Sequence, residues 1–419
     1  MRRLSILVFL VLSAVKPASG QFVLVPMDPD QSNHLKAYGL TFWTIQKGLT
    51  AEWLLNYRNG AFLLADNPDV RREAALRGVS YEPVGAMDVA QIRAVIADNN
   101  MESIVLERAP KIAVYTPGNA NPWDDAVTLA LDYADIPYEK IWDPEVLQGR
   151  LKEYDWLHLH HEDFTGQYSK FYINYAGSPW LLEAVQRNEA VARQFSLANV
   201  PALKKAVAEE IRRYVAEGGF LFAMCTATET IELALAAVGV DIAAAFADGT
   251  GIDPDASRKM QWNRTLAFRD VEVQTNPAVN AFSDIDGHQV NTPWRQPLGA
   301  FELFEFSAKF DPVPSMLVQN HETVIGDFYG LTTSFRRDRL KTGIIVLAQE
   351  EGAPWVKYIH GNYERGTWTF LGGHDPEDPQ HQIGDSPTDL SLHVHSPGYR
   401  LILNNVLFPA AKKKTLKTE

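Results

Sequence analysis

A single cysteine, Cys225, stands at the junction between a predicted buried strand and a predicted helix. The run 220–224 is wholly apolar, and Thr226, Thr228 and Glu229 are typical of a first helical turn. A thiol on such a turn stands above the sheet edge and meets the positive end of the helix dipole, which favours a thiolate nucleophile. The alternative is a small buried thiol that fills space beneath the helix, because free cysteine is among the most buried residue types.

A histidine that follows a later predicted strand offers a general base for this thiol. The segment 372–381 reads GGHDPEDPQH and follows an apolar run, so His374, Asp375 and Glu377 are expected at a sheet edge. An imidazole there can take the proton of Cys225, and the Glu377 or Asp375 carboxylate can orient the ring. The alternative is a structural turn, shaped by its glycines and proline and capped by Asp375.

A second cluster of ionisable side chains lies in the segment 158–164, HLHHEDF. His158 and His160 share one face of a predicted strand, and His161 lies on the other face or in the loop. Such histidines can chelate a divalent metal such as zinc, with His160 and His161 as ligands and His374 as a third. In the alternative, His158 is buried and hydrogen-bonded while His160 and His161 edge a substrate site. The sequence favours this second interpretation and therefore no cofactor.

Apolar runs separated by helical patterns must position these side chains. Strands are predicted at 111–115, 137–142, 155–160 and 220–224, and helices at 126–133, 180–195 and 201–217. Strands that alternate with helices predict a doubly wound parallel sheet, in which ligands sit outside the carboxyl ends of the strands. We assign the substrate contacts to these ends and to the turn after the base: Asn119, Trp123, His160, His161, Glu162, Tyr168, Thr226 and Asp375.

The loop 166–180 after the histidine-rich strand is rich in aromatic residues, Tyr168 among them. Aromatic faces in this position can stack on a sugar ring or close over a pocket, so a sugar derivative is one candidate substrate. The same residues can equally pack a long loop, and both interpretations stay open.

The first 20 residues have the layout of a secretory signal peptide. Two arginines precede an apolar run at 4–15, and Ala18 and Gly20 form a cleavage site before Gln21. The apolar run is too short for a stable transmembrane helix, and no later run reaches the length that a membrane crossing requires. We therefore expect an exported protein, periplasmic or extracellular, without a transmembrane segment.

The composition is that of an ordinary globular protein with a small-molecule substrate. The 419 residues carry a net charge of −13 and 46% of them are hydrophobic, which supports a sizeable core and argues against a nucleic acid as partner. With one cysteine the chain forms no internal disulfide. Nothing in the composition selects an oligomeric state.

We divide the chain into a signal peptide at 1–20, a small N-terminal α/β domain at 21–109, a main domain at 110–411 and a basic tail at 412–419. In the N-terminal domain, Asn59-Gly60 between two apolar runs predicts a hairpin. Residues 241–293 are expected to form an insertion with short strands. Six strands are predicted after residue 300, one of them at 315–318, followed by an amphipathic closing helix at 399–408.

Three segments resemble a known family. GGFLFAMCTAT resembles the nucleophile elbow of the class I glutamine amidotransferase-like superfamily. NYERGTWTFLGGHDPED with SPGYRLILNNVLFPA, and also YDWLHLHHEDF, resemble segments of its ThuA-like branch, which is linked to sugar metabolism. The resemblance covers residues 111–411, with 241–293 matching poorly. It implies a flavodoxin-like doubly wound parallel sheet, a Cys225 nucleophile and a His374 base.

Two departures from the family pattern bear on activity. Ala223 and Ala227 replace the glycines of the elbow, and Glu377 is displaced by one residue from the family's His-Pro-Glu. The whole chain also resembles exported bacterial proteins labelled asparagine synthetase B. It lacks the N-terminal cysteine nucleophile and the Ser-Gly-Gly-x-Asp-Ser loop of that chemistry, so we expect no asparagine synthetase activity.

Three functions are consistent with these residues. The first is a Cys-dependent hydrolase or amidase acting on a small amide or a saccharide-derived substrate, with Cys225, His374 and Glu377 as catalytic residues. The second is a non-catalytic or carbohydrate-binding protein of the ThuA-like type. The third is a metal-dependent enzyme that uses His160, His161 and His374. The fold does not choose among them, because one fold hosts many chemistries.

Overall fold

The computed structural model describes residues 22–117, 125–170, 172–279, 281–286, 300–311, 314–326, 328, 330–350, 352–378 and 386–412. The predicted signal peptide, the candidate contacts Asn119 and Trp123, and the basic tail beyond Lys412 lie outside the described residues. Within the described ranges, none of the helices has the length and apolarity that a membrane crossing requires.

Residues 22–106 form an antiparallel five-stranded sheet with three helices. The elements are β1 (Phe22–Val25), α1 (His34–Gln46), β2 (Ala51–Leu55), β3 (Phe62–Ala65), α2 (Pro68–Arg77), β4 (Glu82–Val84), α3 (Ala86–Asp98) and β5 (Glu102–Leu106). Their order in the sheet is β4-β1-β3-β2-β5. The predicted hairpin joins β2 to β3, and Asn59 and Gly60 in its turn adopt positive φ, which these two residue types tolerate best.

A larger sheet begins with four parallel strands and the helices that cover them. These elements are β6 (Ile112–Tyr115), α4 (Ala126–Tyr133), β7 (Glu139–Ile141), α5 (Asp143–Leu147), β8 (Trp156–Leu159), α6 (Tyr172–Tyr175), α7 (Pro179–Gln194), α8 (Val200–Ala216), β9 (Phe220–Met224) and α9 (Ala227–Ala236). Along β9, Phe220, Phe222 and Met224 face one core while Leu221 and Ala223 face the other. Burial on both faces explains why the strand reads as a continuous apolar run.

The chain after α9 adds an antiparallel half to the same sheet. Its elements are α10 (Ala245–Asp248), α11 (Ala256–Lys259), β10 (Phe301–Leu303), α12 (Pro314–Leu317), β11 (Val324–Ile325), β12 (Phe335–Arg336), β13 (Ile345–Glu350), β14 (Trp355–Tyr363), β15 (Gly366–Leu371) and α13 (Pro397–Leu407). The sheet order is β11-β10-β13-β14-β15-β9-β8-β6-β7, with β12 paired to β14. Neighbours in the part β15-β9-β8-β6-β7 are parallel. The chain therefore has an α/β fold whose larger sheet contains parallel strands.

Two predictions for the C-terminal half differ from the structure. The predicted strand at 315–318 lies largely in α12, which a proline opens with a helix-compatible φ and whose four residues are all buried. A short apolar run of this kind fits a buried helix and a buried strand equally well. In the predicted insertion 241–293, the described residues form short helices and isolated β-bridges instead of the expected short strands.

Helices α1, α4 and α13 pack together between the two sheets. Tyr38 of α1 donates a hydrogen bond to Asn404 Oδ1 of α13 at 2.5 Å, and both side chains are fully buried. Arg400 of α13, also buried, donates to the carbonyl oxygens of Met27 and Asn59. One continuous core thus joins the N-terminal unit to the sheet that carries Cys225.

Candidate active site

Cys225 occupies a sharp turn between β9 and α9. Its φ is +50°, a left-handed conformation that is costly for a residue with a side chain and is concentrated at functional sites. Its amide donates to Gly373 O at 3.1 Å, while Thr228 N and Thr228 Oγ1 donate to its carbonyl oxygen. These bonds hold the turn at the edge of the sheet where β9 and β15 end side by side.

The end of β15 delivers His374 to the sulfur of Cys225. Gly373 has φ +93°, and a Cβ there would stand 2.6 Å from Phe328 O, so only glycine fits. Burial raises the pKa of the Cys225 thiol, but a hydrogen bond to His374 and the charge of that ring outweigh burial and lower the pKa overall. The structure thus brings together the predicted nucleophile and the predicted base.

The loop 330–334 covers the thiol. A Cβ added to Gly330 would stand 3.0 Å from Cys225 Sγ and 3.1 Å from His374 N. The backbone of Leu331 also hydrogen-bonds the thiol, which further lowers its pKa. Cys225 is only 3% exposed, so a substrate reaches the sulfur through a narrow approach.

The side chain that orients His374 is a histidine, whereas the sequence predicted Glu377. His160 Nε2 lies 2.8 Å from His374 Nδ1. Glu377 Oε2 instead lies 3.0 Å from His393 Nδ1. The extra residue in His-Asp-Pro-Glu, relative to the family's His-Pro-Glu, turns the glutamate toward this other histidine.

Asp375, predicted as a substrate contact, has a structural position. It is fully buried, and its carboxylate accepts hydrogen bonds from Tyr399 OH at 2.7 Å, Thr388 Oγ1 at 2.8 Å and Glu377 N at 2.8 Å. Three donors satisfy a buried carboxylate, which fixes the turn after His374.

Behind His374, a chain of buried polar groups leads to Asp125. His160 Nδ1 lies 3.3 Å from His158 Nε2 and 3.5 Å from Asp125 Oδ1. His158 Nε2 lies 3.3 Å from the same carboxylate oxygen, and His158 Nδ1 donates to Phe222 O at 3.1 Å. A carboxylate therefore does stand behind the base, but it comes from the chain after β6.

Asp125 is held in place as the N-cap of α4. Its Oδ1 accepts hydrogen bonds from Val127 N at 2.8 Å and Thr128 N at 3.2 Å. Burial raises the pKa of Asp125, but the neighbouring histidines outweigh burial and hold the pKa well below its usual range. Burial lowers the pKa of His160 strongly, against the opposing effect of Asp125. A neutral His160 ring can accept a hydrogen bond from His374 Nδ1.

Sequence reasoning missed Asp125 and gave His158 only a structural role. The available signal was an aspartate directly before the predicted helix at 126–133, a pattern typical of an N-cap. An N-cap that follows a central strand places its carboxylate at the carboxyl end of the sheet, where the histidines also lie.

Three further predicted contacts border the pair formed by Cys225 and His374. The His161 ring centroid lies 5.9 Å from that of His374, and Thr226 Oγ1 lies 3.7 Å from Cys225 Sγ. Glu162 is half-buried, and burial raises its pKa to about 7. A carboxyl group with such a pKa can hold or release a proton near neutral pH.

Tyr168 lies in the aromatic loop at a positive φ, with its ring centroid 6.3 Å from that of Tyr172. Tyr172 in turn stacks on Phe246 of α10 at 4.5 Å, and Tyr175 contacts Trp180 at 5.7 Å. The aromatic side chains therefore have ring partners within the chain, as the packing interpretation of this loop expects.

The predicted metal ligands His160, His161 and His374 bring nitrogen atoms within 4.8 Å of one another. One separation, from His160 Nε2 to His374 Nδ1, is 2.8 Å. Two ligands of a tetrahedral zinc ion, each about 2.05 Å from the metal, lie about 3.3 Å apart. The contact between His160 and His374 thus has the length of a hydrogen bond.

Comparisons with known proteins give weak structural similarities. No family model matches the chain, and no curated protein does. Two cytoplasmic proteins of Salmonella typhimurium are similar at 11% and 12% identity, with TM-scores of 0.34 and 0.36; each alignment covers 72% of this chain and 100% of the other. A candidate GMP synthase component of Thermoplasma acidophilum, a weak glutamine amidotransferase-like neighbour, is similar at 8% identity and a TM-score of 0.34, covering 72% of this chain and 94% of its own. Similarities at this level carry no argument about activity.

Proposed function

We propose that the protein is a cysteine-dependent hydrolase of a small amide, with Cys225 as the nucleophile and His374 as the general base. The observation that carries the proposal is the left-handed turn that presents the only thiol of the chain to the His374 ring. A strained turn at the end of a central strand is a costly way to place a thiol that merely fills space. A hydrogen bond that lowers the thiol pKa is typical of nucleophilic cysteines.

The proposed reaction has two steps, and His374 moves one proton in each. His374 Nε2 accepts the thiol proton while the Cys225 sulfur forms a bond to the carbonyl carbon, and the same proton passes to the leaving nitrogen as the C–N bond breaks. Water then attacks the thioester, gives a proton to His374 and releases the acid, and the proton returns to the sulfur. In this role His374 keeps its other proton on Nδ1, from which it donates to His160 Nε2.

We assign the developing oxyanion to the amide of Thr226. In a nucleophile elbow, the residue after the nucleophile supplies one such N–H group. The next two amides are engaged, since Ala227 N donates to His160 O at 2.9 Å and Thr228 N to Cys225 O at 3.2 Å. The Thr226 amide is therefore the best placed donor at the start of α9.

We also propose that the chain belongs to the class I glutamine amidotransferase-like superfamily, in its ThuA-like branch. Numbered along the chain, the order β7-β6-β8-β9-β15 is the 2-1-3-4-5 order of flavodoxin-like sheets. The elbow forms although Ala223 and Ala227 stand where the family has glycines. The link of that branch to sugar metabolism makes a saccharide-derived amide the first substrate to test, and the signal-peptide pattern supports an exported protein.

Alkylation of Cys225 by iodoacetamide near neutral pH tests the proposal. Because the chain has one cysteine, the mass of the intact protein reports this reaction alone. We expect the folded wild type to react faster than the same chain unfolded in urea, and His374→Gln to react at least about tenfold more slowly than the wild type. Circular dichroism checks that the variant is folded. A folded thiol that reacts slowly and equally in both proteins contradicts the proposal.

A second candidate function is a non-catalytic carbohydrate-binding protein. The 3% exposure of Cys225 favours it, because a thiol this well covered is also consistent with a packing role. This function predicts that a saccharide raises the Tm of Cys225→Ala as much as that of the wild type. A thermal-shift screen over saccharides that shows no response removes it.

A further inference from the structure

Three donor atoms beneath His374 form a nearly equilateral triangle. Asp125 Oδ1, His158 Nε2 and His160 Nδ1 are separated by 3.3, 3.3 and 3.5 Å. All three residues are buried. They come from separate places in the fold, since Asp125 caps α4, His158 lies in β8 and His160 follows it. The proposed proton transfer uses only the opposite nitrogen of His160.

The sides of this triangle are long for hydrogen bonds and right for a metal. N–H···O bonds in proteins cluster near about 2.9–3.0 Å between heavy atoms. Ligands about 2.0–2.1 Å from a tetrahedral zinc ion lie about 3.3–3.4 Å from one another. Each side of the triangle therefore agrees with the edge of a zinc tetrahedron to within about 0.2 Å.

Contacts outside the triangle orient each of its members. His158 donates its Nδ1 proton to Phe222 O at 3.1 Å, which directs Nε2 inward. His160 places Nε2 against His374 Nδ1, which directs Nδ1 inward. Two amides of α4 fix the Asp125 carboxylate. Metal-binding histidines are characteristically held through their second nitrogen in this way.

The charge of the triangle points in the same direction. A buried carboxylate between two neutral imidazoles requires a compensating positive charge. A proton on one ring supplies that charge, and so does a divalent cation. The separations favour the cation, because a shared proton draws its two heavy atoms closer together than they are here.

We propose that Asp125, His158 and His160 form a binding site for a divalent cation of the zinc class, with a fourth position for water or another donor. Two imidazoles and one carboxylate suit zinc and similar first-row ions, whereas magnesium and calcium prefer oxygen ligands. This site differs from the set His160, His161 and His374 because it uses the Nδ1 atom of His160.

A bound cation also changes the pair of Cys225 and His374, a consequence that rests on the proposed function. A metal on His160 Nδ1 requires the proton of that ring on Nε2, so His160 donates to His374 Nδ1 and no longer accepts from it. His374 then carries its own proton on Nε2, toward the sulfur, and cannot take the thiol proton. The cation therefore slows alkylation of Cys225.

Metal titration of the full chain tests the site, using protein made without a histidine tag and stripped by a chelator. We expect one Zn²⁺ or Co²⁺ per chain by equilibrium dialysis with elemental analysis, and visible cobalt absorption of the intensity typical of a four-coordinate complex. Asp125→Asn should weaken binding at least about 100-fold, because it removes the charged ligand. His161→Gln and Cys225→Ser should leave the affinity unchanged.

The variants separate this proposal from the proposed function. Cys225→Ser abolishes alkylation and keeps every proposed ligand, so metal binding is measured independently of thiol reactivity. His158→Gln serves where Asp125→Asn does not fold, with the same expected loss. Folded wild type that takes up no metal, or uptake that needs His161 and survives Asp125→Asn, overturns the site. Full uptake with an unchanged alkylation rate overturns only the coupling to Cys225.

Discussion

Replacing His160 by leucine tests whether a histidine stands in the place of the catalytic acid. The substitution removes the nitrogen that lies 2.8 Å from His374 Nδ1 and keeps an apolar side chain in a buried position. Without that partner, the His374 ring can turn or move its proton between its two nitrogens, so Nε2 is no longer held toward Cys225. Activation of the thiol should fall although no atom in contact with the sulfur has changed.

The expected size of the effect follows from the hydrogen bond that is lost. Removing one partner of a buried hydrogen bond costs about 1–3 kcal/mol, and about 1.4 kcal/mol is a factor of ten in rate. We therefore expect the second-order rate constant for alkylation of Cys225 to fall about 5- to 100-fold. His160→Gln offers an amide oxygen to His374 Nδ1 and should recover most of the rate, which a purely structural role of His160 does not predict.

The assay is the mass of the intact protein followed over time with iodoacetamide, on chelator-treated samples so that metal plays no part. Thermal unfolding shows whether each variant is folded. Glu377→Gln is the matched control, because Glu377 pairs with His393 in place of His374, and it should keep the wild-type rate. A slow Glu377→Gln together with a wild-type rate in His160→Leu refutes the reasoning.

Two further predictions concern the surroundings of the thiol. Gly330→Ala places a Cβ 3.0 Å from Cys225 Sγ and should slow alkylation while lowering the free energy of unfolding by about 1–3 kcal/mol; Gly326→Ala, which meets no atom within 4 Å, is the control, and equal behaviour of the two variants contradicts the contact. Burial raises the pKa of Glu229 from 4.5 to about 8, so the stability that its proton confers is present in full below pH 4.5 and is lost as pH rises through about 8. Relative to the wild type, Glu229→Gln should therefore gain about 2–4 kcal/mol between pH 5 and pH 8. Urea unfolding at both pH values measures this gain, and a difference that does not change with pH excludes it.

The meeting of Cys225 with His374 could be predicted because it depends on local patterns and one topological rule. A continuous apolar run identifies a strand buried on both faces, and it ends at the cysteine. A pair of glycines ends the strand before His374. Parallel strands finish at one edge of the sheet, so residues that follow two of them come together.

The partners behind the base could not be predicted, because they depend on where side chains point after the chain has folded. Glu377 is near His374 in the sequence, yet the buried carboxylate of Asp375 fixes a turn that sends it to His393. Asp125 reaches the histidines only because it caps a helix at the same sheet edge. Local patterns specify such a cap but not the side chains that face it.

The packing of α1 against α13 joins the first helix of the described chain to its last. The hydrogen bond from Tyr38 to Asn404 spans 366 positions, and the ribosome makes the N-terminal partner first. Until α13 has been synthesised, the apolar face of α1 lacks its cover, and contacts of such long range form late. During synthesis the first 90 or so residues should therefore be a ready substrate for chaperones and proteases. A chain that ends before residue 397 should fail to fold as a whole, since the last helix completes the core of the first unit.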